Sequence, residues 1–215
     1  MKKISSVMLA IVMLLSVSVT AFAAEYNSEA SLTIEEYIDF LAEESPEDLL
    51  KFEALDNEEQ IKFINYLTNP DTYNGSLNTP DVTRSSTYEC EENYLSGSNM
   101  GVMRATTWDA WGTSTVTILG IEVLEYRIEV GYNVSGSTIT SINYNEAFVV
   151  RNLNPLVQTE TTSKNAYISG NVVHAKGIFY YKLGPIEGLS VQIGNIYGEL
   201  LAYSNGNTSI SYWRD

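Results

Sequence analysis

The chain has 215 residues, a formal net charge of −15 at pH 7, one cysteine and one histidine. A single cysteine excludes an intrachain disulfide, and together with a single histidine it excludes a Cys/His zinc cluster, so we expect no metal site and no cofactor. The negative charge repels phosphate backbones and anionic lipid headgroups, so we expect neither nucleic acid nor a membrane as a partner of the mature protein.

The first 23 residues have the pattern of a secretory signal peptide. Lys2 and Lys3 form a basic start, the apolar run "VMLAIVMLLSVSV" follows, and Ala21 and Ala23 are the small residues of a cleavage site. The run is shorter than the roughly 18–20 apolar residues that a transmembrane helix needs. We therefore expect cleavage after Ala23 and release of the chain outside the cell, and loss of the two lysines takes its formal charge from −15 to −17.

Three short amphipathic helices are predicted in the acidic segment 24–68. Their start signals are two capping boxes and one serine-proline pair, namely Thr33 with Glu36, Asp56 with Glu59, and Ser45-Pro46. Helices of about three turns are not stable alone in water, so these must pack on each other or on the rest of the chain. Asn69-Pro70 is expected to end the last helix.

Residues 69–87 are rich in Pro, Gly, Asn, Asp, Ser and Thr, a composition that predicts a linker. The mature chain would then consist of a helical region at 24–68, this linker, and a β domain at 88–215. Because an exposed linker is a preferred site of cleavage, limited proteolysis is expected to leave a stable fragment that starts near residue 88.

After the linker the hydrophobic period changes to two. In "EVLEYRIEVGYNV", apolar and polar side chains alternate, which is typical of a strand with one buried face. Turns are predicted at residues 135–137, "SGS", and at Asn205-Gly206, where a two-residue type I′ turn is expected. The predicted fold class is α+β, with a small acidic helical N-terminal region followed by an all-β antiparallel sandwich or open barrel.

The stretch "ATTWDAWG" contains two of the three tryptophans, Trp108 and Trp111, with Asp109 between them. Side chains three residues apart on a regular strand point to opposite faces, so the two rings could form one ligand platform only in a loop. Asp109 and Gly112 favour a loop, whereas large aromatic residues are often simply buried. Both interpretations stay open, and Trp108, Trp111 and Asp109 are the candidate ligand-binding residues.

No catalytic motif stands out around the histidine or the cysteine. His174 shares a strand face with Lys176 and Lys182, so we expect it to face solvent without a partner that could make it a general base. Cys90 is flanked by glutamates in "YECEEN", whose charges oppose formation of a thiolate. A buried or idle thiol is therefore the favoured interpretation.

Paired carboxylates are the remaining route to catalysis. Glu125 and Glu129 share a strand face but are about 13 Å apart at roughly 3.3 Å per residue. That distance exceeds the roughly 5–9.5 Å between the carboxyl groups of glycosidases. A partner from a neighbouring strand, such as Glu146 or Glu160, stays open.

The run "ILGIEVLEYRIEVGYNVSGSTITSIN" resembles secreted β-rich domains of unknown function from Gram-positive, clostridial-type bacteria. The resemblance covers about the C-terminal 110 residues and rests on a paired-strand pattern "G-hydrophobic…Y-x-V-x-Y-x-V-x-G…I-x-S". The helical "NEEQIKFINYLTNPD" is similar to short acidic helical segments of Gram-positive secreted proteins. The resemblance implies secretion and a β-rich fold, and it implies no functional residues.

These observations favour a secreted, non-catalytic binding or structural module of the bacterial envelope or the extracellular space, with a protein or a glycan as its ligand. The alternative is a carbohydrate-binding module that uses exposed aromatic rings, with polar side chains such as Asn152, Asn154 or Asp109 at their edges. A carboxylate-based glycoside hydrolase is a distant third hypothesis.

Overall fold

A computed structural model describes residues 32–93, 105–184 and 192–215. The predicted signal peptide and its cleavage site lie outside these residues. Within the three described segments, none of the helices combines the length and the apolar character that a membrane crossing requires.

Four helices precede eight strands in the described residues. The helices are α1 (Ile34–Glu44), α2 (Pro46–Glu53), α3 (Asn57–Thr68) and α4 (Asp71–Asn74). The strands are β1 (Val82–Asn93), β2 (Ala105–Ile118), β3 (Ile121–Ser135), β4 (Thr138–Asn152), β5 (Val157–Ser169), β6 (Val172–Leu183), β7 (Gln192–Tyr203) and β8 (Thr208–Arg214).

The first three helices begin where the sequence predicts. Both capping boxes are formed, by Thr33 with Glu36 and by Asp56 with Glu59. Each box satisfies backbone N–H groups of the first helical turn, which have no partner within the helix. Pro46 occupies the first turn of α2, where its missing N–H is not needed.

The strands form two four-stranded antiparallel sheets that pack on each other. Sheet A has the order β1-β2-β3-β4 and sheet B has the order β5-β6-β7-β8, and the chain passes from one sheet to the other between β4 and β5. The predicted α+β class with an antiparallel sandwich is confirmed. The sandwich is open, so the barrel alternative is wrong.

Strand alternation explains the core between the sheets. On β3 the residues with even numbers from Leu124 to Val134 are buried, as the period of two predicts. They face β6 and β7, where Gly177 and Gly198 are cross-strand partners. A Cβ on Gly198 would lie 2.5 Å from Ile128 Cδ1, so a glycine is required for Ile128 to approach this closely.

The helices cover one end of the sandwich. The hydroxyl of Tyr37 in α1 donates to the carbonyl oxygen of Leu153 at 2.9 Å, and Asn154 Nδ2 donates to the carbonyl oxygen of Leu67 in α3 at 2.8 Å. The rings of Tyr37, Phe52 and Phe63 are fully buried and belong to the same hydrophobic cluster as the sheet residues. We call this the capped end of the sandwich.

The segment 69–87, predicted as a linker, contains a short helix and the start of a strand in the structure. Residues 71–74 form α4, whose Tyr73 is buried and donates from its hydroxyl to the carbonyl oxygen of Leu67 at 3.1 Å. The β region begins at Val82 rather than at residue 88, because residues 82–87 pair with β2 as part of an edge strand. The composition of this segment is polar, which favours a linker. The segment nevertheless contains Tyr73, which is buried, and the start of an edge strand, which needs few apolar residues because it is exposed.

Asp48 in α2 forms an ion pair between the helices and sheet A. Its carboxylate is 3% exposed and accepts from Ser45 Oγ at 2.7 Å, from Lys51 Nζ at 2.8 Å and from Arg151 of β4. Burial alone would raise the pKa of Asp48, but the hydrogen bonds from Lys51 and Ser45 and the charge of Arg151 outweigh it, so the pKa is lowered.

We expect Asp48→Asn to lower the free energy of unfolding by about 1.5–3 kcal/mol, because it removes a buried carboxylate that accepts charged hydrogen bonds. Glu47→Gln is the matched control, since Glu47 contacts the same Lys51 but is 85% exposed, and its effect should stay below roughly 0.5 kcal/mol. Urea denaturation of both variants measures the difference, and equal effects would contradict the role of Asp48.

The same contact predicts a pH dependence. A carboxyl whose pKa is lower in the folded than in the unfolded chain stabilises the fold above the unfolded pKa of about 3.9, and this contribution is lost as the pH falls through the folded pKa. The difference in melting temperature between the wild type and Asp48→Asn should therefore be constant near neutral pH and shrink below about pH 4. A difference that grows with acidification would contradict this assignment.

Candidate functional site

The two tryptophans of the candidate platform lie on opposite faces of a regular strand. Both are within β2, not in a loop, so the condition for a shared platform is not met. Trp108 pairs with buried Tyr132 and packs against the core, and its ring lies so close to Gly206 that a Cβ there would be 2.5 Å from Trp108 Cζ3. Trp111 is on the outer face of sheet A, so the hypothesis of one surface formed by both rings is wrong.

Trp111 belongs to a mixed aromatic and charged surface. The alternation of β2, β3 and β4 places on the outer face of sheet A the residues Asp109, Trp111, Arg127, Glu129, Tyr144, Glu146 and Phe148. The guanidinium carbon of Arg127 lies 5.1 Å from the centre of the Trp111 ring, a cation–π distance. Arg127 Nε is also 2.6 Å from Glu129 Oε1, although its N–H is not directed at that oxygen.

Asp109, the third candidate residue, lies beside Tyr144 on this face. The Tyr144 ring covers Gly131 on β3, where a Cβ would be 2.3 Å from Tyr144 Cε1. Burial of the ring, together with the charge of Asp109, raises the pKa of Tyr144 to about 12. Asp109 also accepts from Asn93 Nδ2, so its carboxylate is held by neighbours on both sides.

One of the cross-strand carboxylate pairs left open by the sequence is present. Glu129 of β3 and Glu146 of β4 are direct partners in the register. Each is paired with a cation, Glu129 with Arg127 and Glu146 with Lys164. Glu160 is opposite Tyr180 in sheet B and is no partner of the β3 glutamates.

The outer face of sheet B carries a second aromatic and charged surface. The register of its four strands places there Tyr167, His174, Lys176, Tyr197, Glu199 and Trp213. Tyr197 and Trp213 are cross-strand partners with ring centres 5.7 Å apart and planes within 11° of parallel. Trp213 is 47% exposed, so one side of this pair is open to solvent.

His174 faces outward as predicted, but the expectation that it has no partner is wrong. Its ring stacks on Tyr167 with centres 4.9 Å apart, and its Nδ1 is 3.0 Å from Glu199 Oε1. Burial alone would raise the pKa of Glu199, whereas the contacts with His174 and Lys176 outweigh burial and lower the pKa. Glu199 is on β7, and only the pairing of β6 with β7 brings it to His174.

Cys90 points toward the core side of sheet A. Its Sγ lies 3.7 Å from the hydroxyl of Tyr132, and burial, with smaller contributions from Asp109 and Glu91, raises the pKa of the thiol. A raised pKa keeps the thiol protonated and poorly nucleophilic, which agrees with the interpretation of an idle thiol.

Asn152 and Asn154, the expected polar edges of a sugar site, have structural contacts instead. Asn152 Nδ2 donates to the carbonyl oxygen of Val157 at 2.8 Å. Asn154 is buried and donates to the carbonyl oxygen of Leu67 and to the hydroxyl of Tyr73. Both asparagines therefore fix the connection between β4 and β5 at the capped end.

Tyr197 and Trp213 were not among the candidate residues, although the sequence around Trp213 indicates an exposed ring. In "TSISYWR" the alternation places Trp213 with Ser209 and Ser211, and a tryptophan on a polar strand face indicates an exposed ring. Its partnership with Tyr197 depends on the register of the β7–β8 hairpin.

Within the described ranges, no cluster of three or more His, Cys, Asp or Glu side chains is suited to hold a metal ion. Comparisons of the chain with protein-family models, with curated proteins and with solved structures found no match. The two outer sheet faces and the cavities of the fold are therefore the features that bear on function.

We expect Trp108→Ala to cost about 2–3 kcal/mol of folding free energy, somewhat less than the roughly 3–5 kcal/mol of a fully buried tryptophan. Trp111→Ala should cost only about 1 kcal/mol, because it loses mainly the contact with Arg127. Chemical denaturation of the two single variants checks this order, and a larger loss for Trp111 would contradict the assignment of faces.

Proposed function

We propose that this chain is a secreted, non-catalytic binding module that binds its ligand on the outer face of sheet B. The observation that carries the proposal is the exposed Tyr197–Trp213 pair, whose nearly parallel rings form an apolar surface on the outer face of sheet B. Tryptophan and tyrosine are enriched among residues that dominate binding energy, because they bury a large area at a small cost in side-chain entropy. Secretion is supported by the signal-peptide pattern of residues 1–23.

Carbohydrate is the ligand class that this surface favours. The C–H face of a sugar ring is apolar and stacks on aromatic rings, while its hydroxyl groups need polar partners at the edge of the site. Such partners adjoin the pair, because the Tyr197 hydroxyl donates to Asp215 Oδ2 at 3.0 Å and the Asp215 carboxylate also accepts from the backbone N–H of Asn195 at 2.8 Å. Polar groups therefore stand beside the rings.

The geometry lends a glycoside hydrolase no comparable support. Glu129 and Glu146 are side by side on one sheet face, and each is neutralised by a neighbouring cation. Hydrolysis of a glycoside requires a protonated acid and a carboxylate that flank the scissile bond. Two ion-paired carboxylates on one flat face do not provide that arrangement.

We expect Trp213→Ala to reduce retention of the chain on insoluble Gram-positive cell wall or on xylan at least ten-fold, since it removes the open side of the stacked pair. Its melting temperature should change little, because a half-exposed ring contributes little to the core. The measurement is a pull-down at several glycan concentrations together with a thermal melt of each variant.

Trp111→Ala is the matched control, because it removes a tryptophan from the outer face of the other sheet. Loss of retention in Trp111→Ala but not in Trp213→Ala would overturn the choice of sheet B. A protein ligand would be identified by two results together. The chain would bind whole cells but not protease-treated cells, and it would not be retained on glycan.

A further inference from the structure

Two adjoining cavities, of about 190 and 200 Å³, lie at the capped end between α4 and the edge of the sandwich. Tyr73, Asn74 and Arg214 line both of them. Arg84 lines the second cavity, and Tyr181 lines the first. Two of the twelve basic residues of this acidic chain therefore meet at one place.

Arg214 is directed inward by the alternation of β8, because its neighbour Trp213 is on the outer face. Its guanidinium carbon lies 4.9 Å from the centre of the Tyr181 ring. Across the parts of the chain that the structure describes, the Arg214 side chain has neither an ion pair nor a hydrogen bond with protein. Burial lowers the pKa of Arg214, which is the direction expected for a cation removed from water.

Arg84 adds a second positive charge to the same place. Its guanidinium donates to the carbonyl oxygens of Asp71 and Thr72, which are neutral acceptors. Burial, and in second place the charge of Arg214, lowers the pKa of Arg84. Arg84 is itself exposed, but its charge and that of Arg214 repel each other, and an anion between them would remove that cost.

The hydroxyl of Tyr181 is a second indication of a ligand, independent of the charges of the two arginines. Its side chain is almost wholly buried, with 6% of the residue exposed, and its hydroxyl has no hydrogen-bond partner in the described structure. A buried hydroxyl without a partner loses its hydrogen bonds to water on folding and gains none, so native structures rarely retain one without a reason. The hydroxyls of Tyr73 and Tyr126, in contrast, have partners.

We propose that the cavities around Arg214 bind the oxyanion of a small ligand, a carboxylate or a phosphate group. The guanidinium of Arg214 would donate two parallel hydrogen bonds to the oxyanion. The hydroxyl of Tyr181, which solvent does not reach in the free chain, would turn toward the oxyanion to donate a third. Asp215 also lines the first cavity, but its carboxylate already accepts from Asn195 and Tyr197. The volume of each cavity fits a small acid or the acidic end of a larger ligand.

The probes are inorganic phosphate, acetate and D-glucuronate, with D-glucose as the neutral control, and binding to the whole chain is measured by titration calorimetry at constant ionic strength. We expect at least one anion to bind with a millimolar or lower dissociation constant, and glucose to bind at least ten-fold more weakly. Phosphate against acetate and glucuronate separates the two oxyanion classes. Absence of binding by all three anions would overturn the proposal.

Arg214→Gln should weaken binding of the preferred anion at least ten-fold, because it removes the charge inside the cavity. Lys164→Gln is the matched control, since it also removes one positive charge but pairs on the surface with Glu146, and its affinity should equal that of the wild type. Equal loss in both variants would show that only net charge matters and would overturn the site.

Tyr181→Phe keeps the proposal testable if Arg214→Gln does not fold. Removal of a hydroxyl that has no partner should leave the melting temperature of the free chain unchanged or raised. The affinity for the anion should nevertheless fall about three- to ten-fold, which corresponds to one hydrogen bond of roughly 1 kcal/mol. Unchanged affinity in Tyr181→Phe would overturn the assignment of this cavity.

Discussion

The open end of the sandwich is the constraint on which the rest of the structure depends. Two antiparallel sheets bury their inner faces against each other, but the residues where strands begin and end stay exposed unless another element covers them. In this chain the short helices provide that cover, and they obtain from the sheets the packing that they lack alone. Tyr37, Asp48 and Asn154 connect the two parts, each with a buried polar contact at the seam. The helices and the sheets are therefore parts of one core.

This arrangement separates the surfaces by their chemistry. Inner faces are apolar, the capped end holds buried polar contacts and two arginines, and the outer faces combine aromatic rings with paired charges. Burial of Trp108 and exposure of Trp213 follow from the same alternation, read on two different strands. An aromatic residue on an outer face contributes little to the core, and a contiguous exposed patch of such residues is typical of an interaction surface.

The sequence predicts the individual helices and strands better than it predicts which residues lie opposite each other on neighbouring strands. Alternation in β3 and the two capping boxes are local patterns, and each appears in the structure at the predicted residues. At Asn205-Gly206 the local sequence pattern predicts a turn at the right place but with the wrong loop length. A two-residue loop would place Tyr197 opposite Arg214, but Tyr203 pairs with Asn207 across a three-residue loop, so Tyr197 is opposite Trp213. A register shift of one residue moves a side chain to the other face, and composition does not determine it.

The net negative charge of the chain repels an approaching anion, whereas the guanidinium groups that line the cavities attract it. The formal charge of −15 disfavours extended polyanions, which would have to lie along an acidic surface. Exposed charges more than a Debye length of about 8 Å away are largely screened at physiological salt, whereas charges inside a cavity are screened much less. A single small oxyanion at Arg214 would therefore experience mainly the nearby groups, namely the two guanidinium groups and the carboxylate of Asp215, while a nucleic acid would experience the whole acidic surface. Under the proposal, selectivity for small anions over long ones would follow from the partly buried position of Arg214.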